Sequence, residues 1–346
     1  MFQQSTTRAD NHVDAWIALQ KDLGKAPNTV AAYARGITDF AAFCHRQSVD
    51  PLDARKGTIA AYLADLHARP PGGGRAGQAR SLPALPRQPS NASLRHRLTI
   101  IRLFYDHLVE QGQRATNPVA RGRRGALDGR QHRSERGLLP VHRALPWIPS
   151  EAQWGAVLKA ARTEPIRNRL MLALAYDCAL RREELCALET SDIDPAQRLI
   201  TIRAETTKTK AGRVVPYSAV TGELLSAYLP ERRKLSRARG SLFLSTSPRN
   251  RAMPISKWTW SKVVHALGFR AGEPKLATHT MRHLCLTDLA RVGWDIHEIA
   301  HFAGHRSIQS TLLYIHLSAR DLSAKFAATA AELHEARLAS IAGLQQ

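Results

Sequence analysis

The sequence lacks most of the features that mark secreted and membrane-spanning proteins. Only four cysteines occur in 346 residues, and none of them forms a CxxC pair, which argues against a disulfide framework or a zinc ribbon. The N-terminus lacks the apolar segment of a signal peptide, and the longest fully apolar run, residues 170–176, is too short to cross a bilayer. We therefore expect a cytoplasmic protein, without a membrane partner, whose cysteines are reduced and buried.

Acidic residues are scarce relative to basic ones. The chain has 50 lysines and arginines against 29 aspartates and glutamates, a formal net charge of +21. An excess this large favours a polyanionic partner, and nucleic acid is the first candidate, although a generally basic protein would show the same balance. Arginine strongly outnumbers lysine, which favours bidentate contacts to phosphate.

The pattern along the chain predicts two domains and a linker. Residues 1–120 have helical periodicity, with Asn28 expected to cap one helix, and are interrupted at 70–90 by a loop rich in proline and glycine. Residues 121–146 are rich in arginine and poor in apolar side chains, which is typical of an interdomain linker. Residues 147–346 are predicted to form a second domain that ends in a helix.

The second domain mixes helices with a small amount of strand. Ser150 and Gln153 form a capping box that should begin its first helix. Residues 169–180 are apolar nearly all round and predict a central buried helix. Residues 199–203 and 213–217 alternate in polarity like two strands of a hairpin.

Four residues near the C-terminus stand at offsets that suggest phosphodiester chemistry. His279 and Arg282 are three apart and share one face of a helix. His305 follows Gly304, which should end a short helix, and Tyr314 lies nine residues further on. Hydrogen-bonding and cationic groups beside a hydroxyl nucleophile are what attack on a phosphodiester requires when no metal takes part.

Local signals predict the helices that carry these residues. Asp295 and Glu298 form a capping box for the short helix that ends at Gly304. Ser307 is expected to cap a further helix, with Tyr314 at the edge of its buried face, roughly 120° from the centre of the apolar stripe. That stripe consists of Ile308, Leu312 and Ile315, and the stripe of the helix after His279 consists of Met281, Cys285, Leu289 and Val292.

These residues resemble the signature of the tyrosine recombinases, the phage integrase family. The signature is His-x-x-Arg, then (Leu or Ala)-Gly-(His or Trp), then a tyrosine about nine residues later. Its positions here are His279, Arg282, His305 and Tyr314. The resemblance covers residues 150–316 well and the rest weakly. It implies a mainly α-helical fold with a small β-sheet: an N-terminal helical core-binding domain on DNA and an α+β catalytic domain.

The resemblance extends to two further segments. Leu-Arg-Arg-Glu-Glu-Leu at residues 180–185 is similar to the family's Leu-Arg-x-x-Glu-Leu, which puts the first catalytic arginine at Arg181, with Arg182 as the alternative, and a supporting acid at Glu184. Family members carry a catalytic lysine on a hairpin before a basic-Val-Val-Pro strand. Counting back from Pro216 indicates Lys208, with Lys210 as the alternative.

The resemblance also implies the chemistry. Tyr314 attacks the scissile phosphate to form a 3′-phosphotyrosyl link, while Arg181 and Arg282 hold the non-bridging oxygens. Lys208 protonates the 5′-hydroxyl leaving group. The two remaining site residues, His279 and His305, donate to the phosphate or manage the proton of the tyrosine.

The implied cofactors and partners follow from this chemistry. Because the phosphoester energy stays in the covalent link, neither ATP nor a metal is needed. The expected partner is double-stranded DNA at the bacterial nucleoid, with specific recombination sites, and the expected task is recombination for a mobile element. Relaxation of one duplex, as by a type IB topoisomerase, and silent DNA binding are the alternatives.

Two further features each allow two interpretations. A C-terminal helix with an apolar stripe at Leu322, Phe326, Ala330 and Leu333 could pack on its own domain, but in related recombinases this segment docks on a neighbouring protomer and links a tetramer on DNA. His297, His301 and His305 recur every four residues, a spacing that could present metal ligands. The expected stop at Gly304 argues against that reading.

Overall fold

The computed structural model describes residues 8–69, 89–119, 145–207 and 210–314. Its two compact units divide between Arg143 and Ala144. Lys208, the loop predicted at 70–90 and the linker predicted at 121–146 lie wholly or largely outside the described residues. The C-terminal helix with its stripe also lies outside them, so these remain predictions.

Four α-helices form the described part of the first unit: α1 (Arg8–Asp22), α2 (Pro27–Arg46), α3 (Lys56–Ala68) and α4 (Asn91–Glu110). Each turns an apolar face to a shared core that is rich in aromatic rings. Trp16 stacks on Tyr33 with ring centroids 5.5 Å apart, and Phe40 meets the edge of Tyr62 at 5.2 Å. These contacts join α1, α2 and α3 into a bundle.

The start of α2 differs from the prediction. The helix begins at Pro27, and its N-cap is Ala26, which offers no side-chain hydrogen bond. Asn28 therefore lies inside the first turn rather than capping it. A proline at the first helical position needs no backbone N–H and already has a helical φ, so it sets the start without a polar cap.

The second unit contains seven α-helices among its described residues and one small sheet. In chain order they are α5 (Glu151–Ala161), α6 (Ile166–Asp177), α7 (Arg182–Cys186), β1 (Ile193–Asp194), β2 (Leu199–Ile202), β3 (Arg213–Pro216), α8 (Ala219–Leu235), α9 (Lys257–Arg270), α10 (Thr280–Arg291) and α11 (Ile296–Ala303). The strands are antiparallel in the order β1-β2-β3, with Ile200 opposite Val215. This is the predicted mainly α-helical fold with a small β-sheet.

Helix α6 is the buried centre of this unit, as its composition predicts. Leu170, Met171 and Leu174 are almost fully buried. The helix ends at Asp177, three residues before the predicted end, because Ala179 has a left-handed φ of 46° that an α-helix cannot contain. The chain turns there and enters α7 through Arg181, its N-cap residue.

Several helix-end predictions are confirmed. Ser150 and Gln153 exchange hydrogen bonds as a capping box for α5, and Asp295 and Glu298 do so for α11. Gly304 ends α11 with a left-handed φ of 61°. The four cysteines are buried and free. Among the residues described, no helix is both long and apolar enough to cross a membrane.

Two predicted apolar stripes are only partly buried. Val292 follows α10 and is 74% exposed. Ser307 precedes a short 3₁₀ turn, Ile308–Ser310, without a side-chain cap, and Ile308 is 39% exposed. A 3₁₀ turn thus takes the place of the first turn of the helix predicted after Ser307, whereas Leu312, Leu313 and Tyr314 are helical, in agreement with that prediction.

Gly268 in α9 provides a test of packing in the second unit. A Cβ there would lie 2.7 Å from the backbone oxygen of Glu273 and 2.8 Å from Cβ of Leu276. We expect Gly268→Ala to lower the free energy of unfolding by about 1–3 kcal/mol, because the backbone must shift. The matched control is Gly155→Ala in α5, where an added Cβ meets no atom within 4 Å. This control should be neutral or stabilising by about 0.5–1 kcal/mol in urea denaturation; equal losses would contradict the packing.

Candidate active site

A buried carboxylate organises the site in the second unit. Glu184 is 1% exposed and accepts hydrogen bonds from two arginines. Its oxygens lie 2.7 Å from Nη1 of Arg181 and 2.8 Å from Nη2 of Arg213. Burial alone would raise the pKa of Glu184, but the bonds and charges of Arg213 and Arg181 lower that pKa to about 2. The carboxylate is therefore ionised at any physiological pH.

The arginine on β3 connects the sheet to α11. Nε of Arg213 donates to the backbone oxygen of Phe302 at 2.9 Å, and the residue is 7% exposed. A Cβ on Gly304 would lie only 3.0 Å from Nη1 of Arg213. The backbone oxygen of Gly304 accepts from Nη2 of Arg181 at 2.9 Å. Strand β3, α7 and the end of α11 are thus held together by one ionic group.

The two adjacent arginines predicted as alternatives point to different neighbours. Arg181 contacts Glu184 and the end of α11, as described above. Arg182 instead donates to Glu183 at 2.8 Å and to the hydroxyl of Ser261 on α9 at 3.3 Å. Only Arg181 therefore makes contacts to the segment that leads to Tyr314.

A second guanidinium is fixed by backbone oxygens. Arg282 on α10 is 4% exposed and donates to the backbone oxygens of Ala179 and, at 2.7 Å, of Ala303. Its Nη2 also lies 2.9 Å from Nε2 of His305. Burial, and next the charge of Arg181, lower the pKa of Arg282 to about 10, so it stays charged at neutral pH.

The contacts of His305 determine its tautomer. Because arginine only donates, Nε2 of His305 must accept the hydrogen bond from Arg282. Nδ1 therefore carries the proton and donates to Oγ1 of the buried Thr311 at 2.8 Å. Burial and the nearby arginine charges lower the pKa of His305 to about 3. The imidazole is neutral at physiological pH.

Tyr314 is the last described residue, and it is more buried than predicted. It is 3% exposed, whereas its place beside an apolar stripe predicted the edge of a buried face. Its ring stacks on His305, with centroids 6.0 Å apart and planes 6° from parallel, and its hydroxyl lies 3.0 Å from Nδ1 of His283. Burial raises the pKa of Tyr314, while the charge of Arg282 opposes this. The hydroxyl is protonated in the free protein.

The remaining predicted residues lie at the margin of this cluster. His279 is the exposed N-cap residue of α10, and its ring centroid is 6.3 Å from that of His283. Lys208 lies outside the described residues, whereas Lys210 is exposed at a φ of 53°. The structure thus brings Arg181, Arg282, His305 and Tyr314 together.

Sequence reasoning missed two residues of the cluster. His283 directly follows Arg282 and stands four residues after His279, the helical spacing that could have drawn attention to it. Arg213 was assigned only to a strand, since nothing local shows that it is buried against Glu184.

The histidine series does not form a metal site in the structure. His297 and His301 are exposed on α11, while His305 lies beyond Gly304 and is engaged by Arg282 and Thr311. Within the described part of the chain, no three His, Cys, Asp or Glu side chains group in a way that could hold a metal ion.

The arrangement suits chemistry on a phosphate. Two guanidinium groups, held by a carboxylate and by backbone oxygens, place fixed positive charge beside a tyrosine hydroxyl. Such groups stabilise the negative charge that develops on a phosphoryl centre under attack, and a site built in advance avoids the cost of reorganising them.

Comparisons with known proteins find a matching family and similar chains. Residues 150–320 match the Phage integrase family. Tyrosine recombinase XerC of Corynebacterium efficiens is 28% identical over 190 residues, 54% of this chain and 59% of that protein. Tyrosine recombinase XerC of Mycobacterium sp. (strain KMS) is 26% identical over 321 residues, 90% of this chain and 94% of that protein. The Tn1549 transposon integrase, solved with transposon right end DNA, shares the fold with a TM-score of 0.65 at 15% identity, over 91% of this chain and 99% of that one.

The buried ion pairs of Glu184 give a stability prediction. Glu184→Gln should lower the free energy of unfolding by about 3–5 kcal/mol, because Arg213 would keep its buried charge without a counter-charge. The control is Glu183→Gln, whose partner Arg182 is part-exposed, so that change should cost about 0–1 kcal/mol. Urea denaturation of both variants tests this. Similar losses in the free energy of unfolding would show that the buried ion pairs of Glu184 contribute no more to stability than the exposed pair of Glu183.

Proposed function

Since residues 150–320 make the chain a member of the phage integrase family of tyrosine recombinases, which cleave and rejoin DNA, we propose that Tyr314 is its nucleophile. Tyr314 attacks the scissile phosphate and forms a 3′-phosphotyrosyl link, releasing a 5′-hydroxyl. A 5′-hydroxyl from a second duplex then attacks that link and restores a phosphodiester with exchanged strands. The observation that supports this is the tyrosine hydroxyl beside two fixed guanidinium groups and two neutral imidazoles.

The arginines bind the phosphate in this proposal. Arg181 and Arg282 donate to its non-bridging oxygens and stabilise the added charge of the transition state. Their present partners, the backbone oxygens of Gly304 and Ala303, set the direction of each guanidinium. Burial and the charge of Arg282 lower the pKa of His305 and keep that imidazole neutral, while its ring stacks on that of Tyr314.

Lys208 and His279 complete the proposed set. Lys208 is the acid that protonates the departing 5′ oxygen, a role that needs a lowered pKa and contact with DNA. His279 is exposed at the start of α10 and is available to donate to the phosphate from outside the buried cluster.

The proposed substrate is double-stranded DNA that carries specific recombination sites, in the bacterial cytoplasm at the nucleoid. The net charge of +21 favours a DNA partner, and the Tn1549 relative was solved with transposon DNA. We assign the first unit to core binding and the basic segment at 121–146 to phosphate contacts. We assign the chain to a mobile element, with four protomers on two sites linked through the C-terminal segment.

The nucleophile can be tested by covalent trapping. The probe is a nicked duplex built from the DNA that flanks the gene. After cleavage, the short strand that ends in the 5′-hydroxyl diffuses away, so rejoining cannot occur and the covalent adduct accumulates. We expect the parent protein to form an adduct that survives denaturation. Tyr314→Phe should bind the duplex with unchanged affinity and form none, because it lacks the attacking oxygen.

Tyr217→Phe, in the same unit, is the control and should form the adduct at the parent rate. An adduct in Tyr314→Phe would rule out this nucleophile. An adduct with relaxation of supercoiled DNA but without strand transfer between duplexes would indicate a topoisomerase instead.

The two neighbouring arginines give a second test. Arg181→Ala should slow cleavage by about 100–1,000-fold at saturating DNA, because it removes a donor used in the transition state. The binding affinity should change little, since many other basic residues contact phosphates. Arg182→Ala, which loses contacts to Glu183 and Ser261, should cleave within about threefold of the parent. The reverse result would assign the catalytic role to Arg182.

A further inference from the structure

The position of His283 carries an inference that rests on the proposed function and deepens it. We propose that His283 is the general base that accepts the hydroxyl proton of Tyr314 during attack on the DNA phosphate. Nδ1 of His283 lies 3.0 Å from the hydroxyl oxygen of Tyr314, and the two ring centroids are 5.7 Å apart. This is the distance that a general base needs from the proton it removes.

The other imidazole next to the tyrosine is not available for this task. The ring of His305 stacks on the ring of Tyr314 with centroids 6.0 Å apart, and both of its nitrogens have other partners. Nε2 of His305 accepts from Arg282, and Nδ1 donates to Thr311. Its one lone pair is therefore used by a charged donor, while Nδ1 of His283 meets the hydroxyl itself.

The geometry of helix α10 explains why Arg282 and His283, although consecutive, contact different partners. Successive side chains on a helix point about 100° apart, so Arg282 and His283 face different partners. Arg282 reaches the backbone oxygens of Ala179 and Ala303, and His283 reaches Tyr314. The backbone of His283 is held within the helix, because its N–H donates to the oxygen of His279 at 2.9 Å.

The protonation state of His283 agrees with this role. Burial, and then the charges of His279 and Arg282 on the same helix, lower the pKa of His283 to about 4. The groups beyond the helix, Tyr314 and His305, are uncharged at neutral pH, as argued above. The imidazole is therefore neutral, and in the tautomer that carries its proton on Nε2 its Nδ1 accepts the hydrogen bond from the hydroxyl.

DNA binding should strengthen this base. The positive charge of Arg282 disfavours the protonated form of His283. A phosphate bound to Arg181 and Arg282 offsets this charge and so raises the pKa of His283. As the bond from Oη of Tyr314 to phosphorus forms and the bond from phosphorus to the 5′ oxygen breaks, the hydroxyl proton moves to Nδ1 of His283. The 5′ oxygen takes a proton from the general acid, assigned above to Lys208. In the rejoining step, His283 returns its proton to the tyrosine.

The test separates proton acceptance from positioning. In His283→Asn, the side-chain oxygen can still accept a hydrogen bond from Tyr314 but cannot take its proton at neutral pH. We expect single-turnover cleavage of the nicked duplex to slow by about 100-fold or more at saturating DNA. The Kd for DNA should stay within about threefold. His265→Asn, an exposed histidine on α9, is the matched control and should keep the parent rate.

A second substrate locates the defect. A duplex with sulfur in place of the bridging 5′ oxygen at the scissile phosphate has a leaving group that needs no acid. This substrate should restore cleavage by Lys208→Ala, whereas His283→Asn should remain slow, because its loss is on the nucleophile side. The rate of His283→Asn should also rise with pH as Tyr314 ionises, while the parent stays level above neutral pH.

The outcomes distinguish the inference from the function on which it rests. Absence of a covalent adduct with the parent protein would overturn the proposed function itself. An active parent together with His283→Asn within about threefold of its rate would overturn the inference alone. Rescue of His283→Asn by the sulfur substrate would do the same, since it would move His283 to the leaving-group side. If His283→Asn fails to fold by circular dichroism, His283→Gln supports the same comparison.

Discussion

The ionic bonds between Glu184 and two arginines are the constraint on which the rest of the site depends. A buried carboxylate between Arg181 and Arg213 is costly to desolvate, and an apolar cluster of equal volume would often be at least as stable. The ion pairs here fix the positions of the two arginines and of the elements that carry them. Arg213 belongs to β3 and Arg181 begins α7, and both also bind backbone oxygens at the end of α11. One carboxylate therefore fixes three elements that are distant in sequence and leaves Arg181 oriented beside the segment that carries the tyrosine.

The electrostatics of the site follow from this placement. Fixed guanidinium charge and burial together keep the nearby imidazoles neutral, with pKa values of about 4 for His283 and about 3 for His305. Burial also keeps the hydroxyl of Tyr314 protonated. Among the described residues of the site, the positive charge is thus carried by arginines, where a phosphate can accept hydrogen bonds from it, and the histidines are neutral. A phosphate that binds here is stabilised by direct contacts to the arginines. Its negative charge also raises the lowered pKa values of the two histidines towards their usual range.

The sequence predicts the parts of this site that depend on local rules. Helical spacing joins His279 to Arg282, and a capping box and a glycine define the ends of α11. The resemblance to the family selects Arg181, and in the structure its contacts differ from those of Arg182. Long-range packing decides the parts that were missed. The burial of Arg213 depends on Glu184, which is 29 residues away, and the partner of His283 is 31 residues away. The predicted cap at Ser307 was wrong because a 3₁₀ turn brings Thr311 to His305 instead.

Gly304 shows how one small residue can satisfy several of these constraints. Its φ of 61° ends α11 and would strain any residue with a Cβ. An added Cβ would also lie 3.0 Å from Nη1 of Arg213, and the backbone oxygen at the same position binds Arg181. A side chain here would therefore push on the guanidinium that neutralises Glu184 and move the oxygen that orients its other partner. The glycine before His305 thus does more than end the helix. It lets the chain pass close enough to both arginines for the site to form.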